Sequence, residues 1–236
     1  MIPKIIHQIW SGIDEPLPEH FHLLGQTWKE NHPTWKYELW DNNKMNNFVQ
    51  EFYPEYWPVY NSYPFNVQRW DAIRYLILDK IGGLYIDFDY ECIKPLDELF
   101  EGRGCCFALE PQSHCEIFNK RVMFNNALMA CVSGHPFMKE IIRNVLSVKA
   151  LSYDTNKKNA CVLNTTGPWI LIDLYEALSS EDKEQIYLIP DCYVTPFDVP
   201  QARQFRLGIE NEELDNCLNS AYAVHYFYNG WLADSN

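Results

Sequence analysis

The stretch RWDAIRYLILDKIGGLYIDFD, residues 69–89, brings Asp71, Arg74, Asp87 and Asp89 close enough in sequence to do chemistry together. Helix signals predict a helix over Phe65 to Lys80, closed by Gly82-Gly83. On it Asp71 and Arg74 stand three apart and share a side with Val67, Leu78 and Ile81, while Gln68, Ala72 and Asp79 point elsewhere. Charges in an apolar stripe need partners, because burying one unpaired is costly. Two readings meet that demand: a mutual structural ion pair, or a pair reaching past the helix to a polar ligand.

The residues after the two glycines favour a ligand. Leu84 to Asp87 reads as a short strand, and Asp87 and Asp89 fall at its C-terminal edge, where open α/β sheets bind ligands. Residues two apart in an extended chain face the same way, so both carboxylates can converge on one divalent cation. Magnesium or manganese accepts such oxygen ligands and keeps positions open for phosphate oxygens. An isolated Asp-x-Asp arises often by chance. The whole string of Asp, Arg, Gly-Gly, Tyr, Asp and Asp is far more specific.

The rest of the chain must position these groups. Strands are expected over Ile2 to Ile9, Trp35 to Trp40, Gly104 to Leu109, Val122 to Ala130, Ile186 to Ile189 and Tyr222 to Phe227. Helices are expected over Leu17 to Glu30, after a cap at Asp41 or Asn42, over His135 to Val148 and over Pro168 to Leu178. Residues 149–160 read as a polar surface loop or lid. Strands alternating with helices predict one α/β domain over residues 1–236. The formal charge of -13, with 32 acidic against 19 basic residues and no Lys/Arg cluster, excludes a nucleic-acid partner. An anionic phosphate ligand would therefore need a bound cation to supply positive charge.

The first ten residues lack a signal-peptide core, and no stretch approaches a membrane-spanning length. The 8 cysteines include no C-x-x-C pair and no histidine at zinc spacing, which predicts reduced, mostly buried thiols in a cytosol.

The central string resembles the sugar-binding region of the DXD glycosyltransferases of family 32, which includes initiating mannosyltransferases and many capsule enzymes. IPKIIHQIW at the start, TWKENHPTWKYELWD at residues 27–41 and AVHYFYNGW at residues 223–231 resemble that family too. The resemblance implies a GT-A fold, a Rossmann-like nucleotide-sugar-binding domain with a mixed central sheet flanked by helices. It also implies a nucleotide-sugar donor, Mn2+ or Mg2+, and retention of anomeric configuration. Carried over, Trp10 lies near the nucleobase, Asp71 and Arg74 face the donor sugar and diphosphate, and Tyr85 lies on the nucleotide side. Asp87 bridges ribose and sugar, Asp89 ligates the metal with Asp87 and His225 beside it, and His225 and Trp231 close over the diphosphate. Gly230 stands where the family commonly has serine.

Residues outside that string carry further candidates. The Thr165-Thr166-Gly167-Pro168-Trp169 run starts a helix, so the amides of Thr166 and Gly167 either bind an acceptor or are ordinarily capped. Asn126 either bonds a sugar hydroxyl or makes a turn. His7 reads as a satisfied core histidine, and His32 and His135, each before proline, as loop residues.

The expected reaction moves a hexose from a nucleotide sugar, UDP-hexose ahead of GDP-mannose, to a glycan or lipid-linked sugar acceptor in polysaccharide or oligosaccharide biosynthesis. It is expected in the cytoplasm, at the inner face of the membrane if the enzyme touches one. Two rivals use the same residues. A haloacid-dehalogenase-type phosphatase would make the first Asp of the pair a nucleophile, but its motif lies near the N-terminus. A non-catalytic glycan-binding module would use the carboxylates for structural calcium.

Overall fold

A computed structural model describes residues 1–209 and 211–228. The chain opens with β1 (Ile5–Ile9), α1 (Glu19–Asn31), β2 (Lys36–Trp40), α2 (Asn42–Phe52), α3 (Trp57–Asn61), α4 (Asn66–Lys80), β3 (Gly83–Ile86) and β4 (Tyr90–Cys92). It continues with β5 (Cys105–Leu109), α5 (Gln112–Phe118), β6 (Phe124–Cys131), α6 (Pro136–Val145), α7 (Lys158–Thr165), α8 (Pro168–Glu176), α9 (Ser180–Glu184) and β7 (Ile186–Ile189). Three short helices, α10 (Asp191–Val194), α11 (Val199–Arg206) and α12 (Glu212–Leu218), precede β8 (Ala223–His225).

Six strands form one sheet in the order β2-β1-β3-β6-β5-β7. All run the same way except β6, which is antiparallel to both β3 and β5. The sheet is thus mixed, as expected for a GT-A fold. The reversed β6 brings its first residues to the edge where β1, β3 and β5 end, so Ala127 O accepts from Asp87 N at 2.8 Å there. β4 leaves the sheet and pairs with β8 in a separate ribbon, with Tyr90 opposite His225. Helix α1 braces that ribbon: Trp28 Nε1 donates to Tyr90 O at 2.9 Å, and Asn31 Nδ2 to Cys92 O at 3.0 Å.

The connection from α4 to β3 depends on its glycines. Gly83 has φ +109°, and a Cβ there would lie 2.6 Å from Ile5 O. Only glycine permits this approach of β3 to β1. His7 is the satisfied core histidine expected: fully buried, with Nε2 bonded to Gly82 O at 2.9 Å and Nδ1 accepting from Trp40 Nε1 at 3.2 Å. Burial pushes its pKa down to about 4.

The structure corrects the one-sided picture of α4. Gln68 and Ala72 are fully buried along with Asp71 and residues 73–78, because α2, α3, α6 and α7 surround the helix on the sides the sheet leaves open. Gln68 Nε2 donates to Thr165 Oγ1 at 2.8 Å instead of facing solvent. The expected loop at 149–160 contains the start of α7, and α5, β4 and the helices after β7 were not foreseen. No helix among the described residues is long and apolar enough to cross a membrane.

Candidate active site

The sheet edge at the ends of β1, β3 and β5 collects the candidate groups. Arg74, in the interior of α4, lies over the Tyr85 ring, 4.7 Å from its centre. Its guanidinium donates to Trp70 O at 3.2 Å and Asn126 O at 2.9 Å, pairs with Asp71 Oδ1 at 3.2 Å, and faces Asp87 at 3.4 Å. Burial disfavours this cation, but Asp87, Tyr85 and Asp71 hold it charged.

Asp71 is turned into the protein interior. It is 5% exposed, and its oxygens accept from Asn126 Nδ2 at 3.0 Å and Thr166 Oγ1 at 3.0 Å besides facing Arg74. Burial raises its pKa to about 6 against the pull of Arg74 and these donors. The mutual ion pair, left open in the sequence, is the arrangement found.

Three further expectations change for related reasons. Asn126 is no turn residue. It lies inside β6 and spends its amide hydrogens on Asp71 and, at 2.8 Å, on Tyr75 OH. Tyr85 is 1% exposed, and its hydroxyl donates to Asp87, so its ring presents no face to a nucleotide. The amides of Thr166 and Gly167 both donate to Val162 O, at 3.0 and 2.8 Å, because α7 ends there; neither is free for an acceptor.

Asp87 and Asp89 diverge. β3 ends at Ile86, and Tyr90 N bonds back to Asp87 O at 3.3 Å, so the pair sits in a turn, where the two-residue alternation of a strand no longer holds. Asp87 faces Arg74 and Tyr85 with a side chain 31% exposed. Burial raises its pKa, Arg74 opposing and Asp89 adding to the rise.

Asp89 faces β8. His225 Nε2 lies 3.3 Å from Asp89 Oδ1, and Tyr228 N donates to Asp89 Oδ2 at 3.1 Å. Burial would raise the Asp89 pKa, but His225 and the Tyr228 amide hold it below the usual carboxylate range. Burial would lower the His225 pKa, and Asp89 raises it. Asp87, held by Arg74 and Tyr85, does not join Asp89 and His225 in a ready-made three-ligand cluster among the described residues.

The Asp89–His225 pair does fit a divalent ion. A cation with ligands at about 2.1 Å and right angles separates neighbouring donors by about 3 Å, close to the distance found.

Trp10 lies half-buried after β1, its ring against Phe21 at 5.7 Å and Phe88 at 6.1 Å. Phe21 and His20 pack on Tyr228 at 5.3 and 5.1 Å, building an aromatic rim beside Asp89. Trp231 and Gly230 lie outside the described residues.

A buried network beside β8 went unforeseen. The Glu110 carboxylate accepts from Asn125 Nδ2 at 2.7 Å and is paired with His114 Nδ1 at 2.7 Å. Asn125 also reaches Tyr90 OH at 3.1 Å, and the Tyr90 ring stacks on His225 at 4.3 Å. Glu110 and His114 are four apart at the end of β5, a spacing that reads as an ordinary surface pair until α11 and Phe227 cover it.

A mixed sheet with one reversed strand, ending in an Asp-Phe-Asp turn flanked by an arginine and a histidine, has the architecture of the GT-A fold. Solved structures agree: the ligand-free glycosyltransferase domain of the YGT toxin (TM-score 0.56, 9% identity, covering 92% of this chain and 89% of that one) and the PaToxG glycosyltransferase (TM-score 0.53, 16% identity, 94% and 89%).

Residues 18–105 match the family described as the glycosyltransferase sugar-binding region containing the DXD motif. Inositol phosphoceramide mannosyltransferase 3 of Schizosaccharomyces pombe is 31% identical over 75% of this chain and 45% of its own length. The initiation-specific alpha-1,6-mannosyltransferase of Candida albicans is 24% identical over 98% of this chain and 72% of its own. An uncharacterized glycosyltransferase of Acanthamoeba polyphaga mimivirus is 29% identical over 91% and 90%. The chain spans about half the length of the inositol phosphoceramide mannosyltransferases it matches.

Proposed function

We propose that this glycosyltransferase moves a hexose from a nucleotide sugar to a glycan or lipid-linked acceptor, with retention of configuration and a divalent cation. The observation that carries the reading is the division of labour across the Asp87–Asp89 turn: one carboxylate tied to an internal arginine, the other set against a histidine. Mannose is the first sugar to test, because the relatives that share the motif are mannosyltransferases by name. GDP-mannose thus moves ahead of the UDP-hexoses favoured on sequence.

Asp89 and His225 would hold Mn2+ or Mg2+, with diphosphate and water completing the shell. Such a cation neutralises charge on the departing diphosphate. Arg74 keeps a positive charge beside Asp87 and fixes that carboxylate's direction, leaving the 31% of its side chain that is exposed to orient donor hydroxyls. Asp71, Asn126 and Tyr85 position Arg74 and Asp87 and touch no ligand. Trp10 and the aromatic rim offer flat surfaces for a nucleobase. The reading includes a cytoplasmic site of action, at a membrane surface when the acceptor is lipid-linked; cell fractionation tests it.

The enzymatic test measures nucleoside diphosphate released from GDP-mannose and UDP-hexoses, with and without Mn2+. Metal-dependent release that falls at least 100-fold in Asp89→Asn supports the proposal. Phosphate release from simple phosphomonoesters without nucleotide preference would sink it, and glycan binding with neither activity would favour a binding module.

A further inference from the structure

At the opposite edge of the sheet, residues far apart in sequence form a different cluster. Cys105 at the start of β5 pairs with Cys131 at the end of β6. The bond from Val132 N to Gly104 O at 2.8 Å brackets them as a non-hydrogen-bonded pair, where facing side chains come closest. Both thiols are fully buried. His135, at the N-cap of α6, turns back over Gly104; a side chain there would contact its ring, with Nε2 3.7 Å from the nearest possible Cβ. One ligand atom from each of the three residues lies within 4.8 Å of the others.

We propose that Cys105, Cys131 and His135 form a binding site for a thiophilic cation of the zinc class, separate from the Asp89–His225 pair. Two thiolates and an imidazole are a soft donor set, which selects zinc-like ions over the magnesium and manganese that suit carboxylates. The charges balance: a divalent ion with two thiolates and a neutral imidazole is uncharged overall, so it can sit in an apolar core where a lone thiolate could not. Burial, with the neighbouring Cys131 and Cys106, pushes the Cys105 thiol well up, and burial pushes the His135 imidazole down. A thiol ligates as the thiolate, so binding releases the proton of each cysteine that joins the ion.

His135 Nδ1 accepts from Phe137 N at 3.2 Å, so the ring proton is on Nε2. Ligation through Nε2 moves that proton to Nδ1 and gives up the cap, a small loss beside the binding free energy of a structural zinc site. His135 is only half-buried, which gives an ion a way in. An occupied site would tie β5, β6 and the start of α6 together.

The test titrates Co2+ into the full chain carrying Cys192→Ser and Cys217→Ser, which removes the cysteines that are not buried. The expected result is a thiolate-to-cobalt charge-transfer band and an intense tetrahedral visible band saturating at one equivalent, both bleached by Zn2+. Cys131→Ser should abolish the charge-transfer band. His135→Gln, at a half-exposed position that tolerates change, should weaken Co2+ binding at least 10-fold while circular dichroism stays unchanged. Asp89→Asn should leave both bands intact. Absence of the bands in the parent protein, their survival in both Cys131→Ser and His135→Gln, or a Cys105–Cys131 disulfide found by mass spectrometry would overturn the proposal.

Discussion

Replacing Asp71 by alanine asks whether this carboxylate belongs to the interior of the protein or to its chemistry. The substitution removes the partner of Arg74 Nη2 at 3.2 Å and the acceptor for Thr166 Oγ1 and Asn126 Nδ2, each at 3.0 Å. Breaking a buried ion pair by deleting one member costs about 3–5 kcal/mol. Here the survivors are partly compensated: Arg74 keeps Asp87 and Asn126 O, Asn126 keeps Tyr75 OH, and Thr166 keeps Val162 O at 3.4 Å. The lower end, about 3 kcal/mol, is therefore expected, a large share of a typical stability of about 5–15 kcal/mol. Urea unfolding should show the midpoint falling by about 1 M or more. Thr166→Val alone should cost about 1 kcal/mol, and the double variant should fall short of the sum by about the same amount, because the two changes remove one shared bond. Activity should drop as Arg74 and Asp87 lose their setting. An Asp71→Ala protein within about 1 kcal/mol of the parent, yet inactive with donor, would refute this reasoning and return Asp71 to direct ligand contact.

The same residue predicts a pH dependence. Its folded-state pKa of about 6 lies above its ordinary 3.8. Protonation therefore favours the fold: the contribution is complete below the ordinary value and is lost as pH rises through the folded one. Relative to Asp71→Asn, unfolding free energies of the parent measured by urea should decline by about 2 kcal/mol between about pH 4 and 7. Tyr85→Phe deletes the hydroxyl that donates to Asp87. It should cost about 1 kcal/mol of stability and lower kcat/KM for the donor while leaving the Mn2+ concentration for half-maximal activity unchanged; a shifted metal requirement would contradict the division between Asp87 and Asp89. Gly83→Ala places a Cβ 2.6 Å from Ile5 O at φ +109° and should destabilise by about 3 kcal/mol or more, measured as a lowered Tm.

Much of the sheet was legible because short apolar runs between Gly, Pro and Asn breaks mark strands whatever their order. That order was not legible: nothing local tells β6 to enter between β3 and β5 in the reverse sense. The Asp87–Asp89 motif was legible as a candidate site, yet the two carboxylates do not face the same way, because strand alternation was extended to Asp89, three residues beyond the end of β3. Asp71, Asn126 and Thr166 looked like ligand contacts for a shared reason. Polar residues in apolar runs signal an unmet demand for partners, and sequence does not say whether a ligand or another part of the chain meets it. In this fold Asp71, Asn126 and Thr166 meet it among themselves. Glu110 and His114 escaped notice, and His135 read only as a loop residue, because their partners arrive from elements distant in sequence.

The pairing of β4 with β8 carries a consequence for how the molecule comes into being. Asp89 and His225 are separated by more than half the chain, and closing so long a loop is among the slower steps available to a folding polypeptide. On the ribosome the Arg74–Asp87 half of the centre can assemble as soon as β6 has emerged, whereas the histidine half must wait for nearly everything after it. A nascent chain would then have its internal arginine fixed well before the Asp89–His225 pair exists. Capture of a hard cation would come as a late event in maturation, and loss of β8 would leave a folded sheet whose Asp89 has lost its histidine.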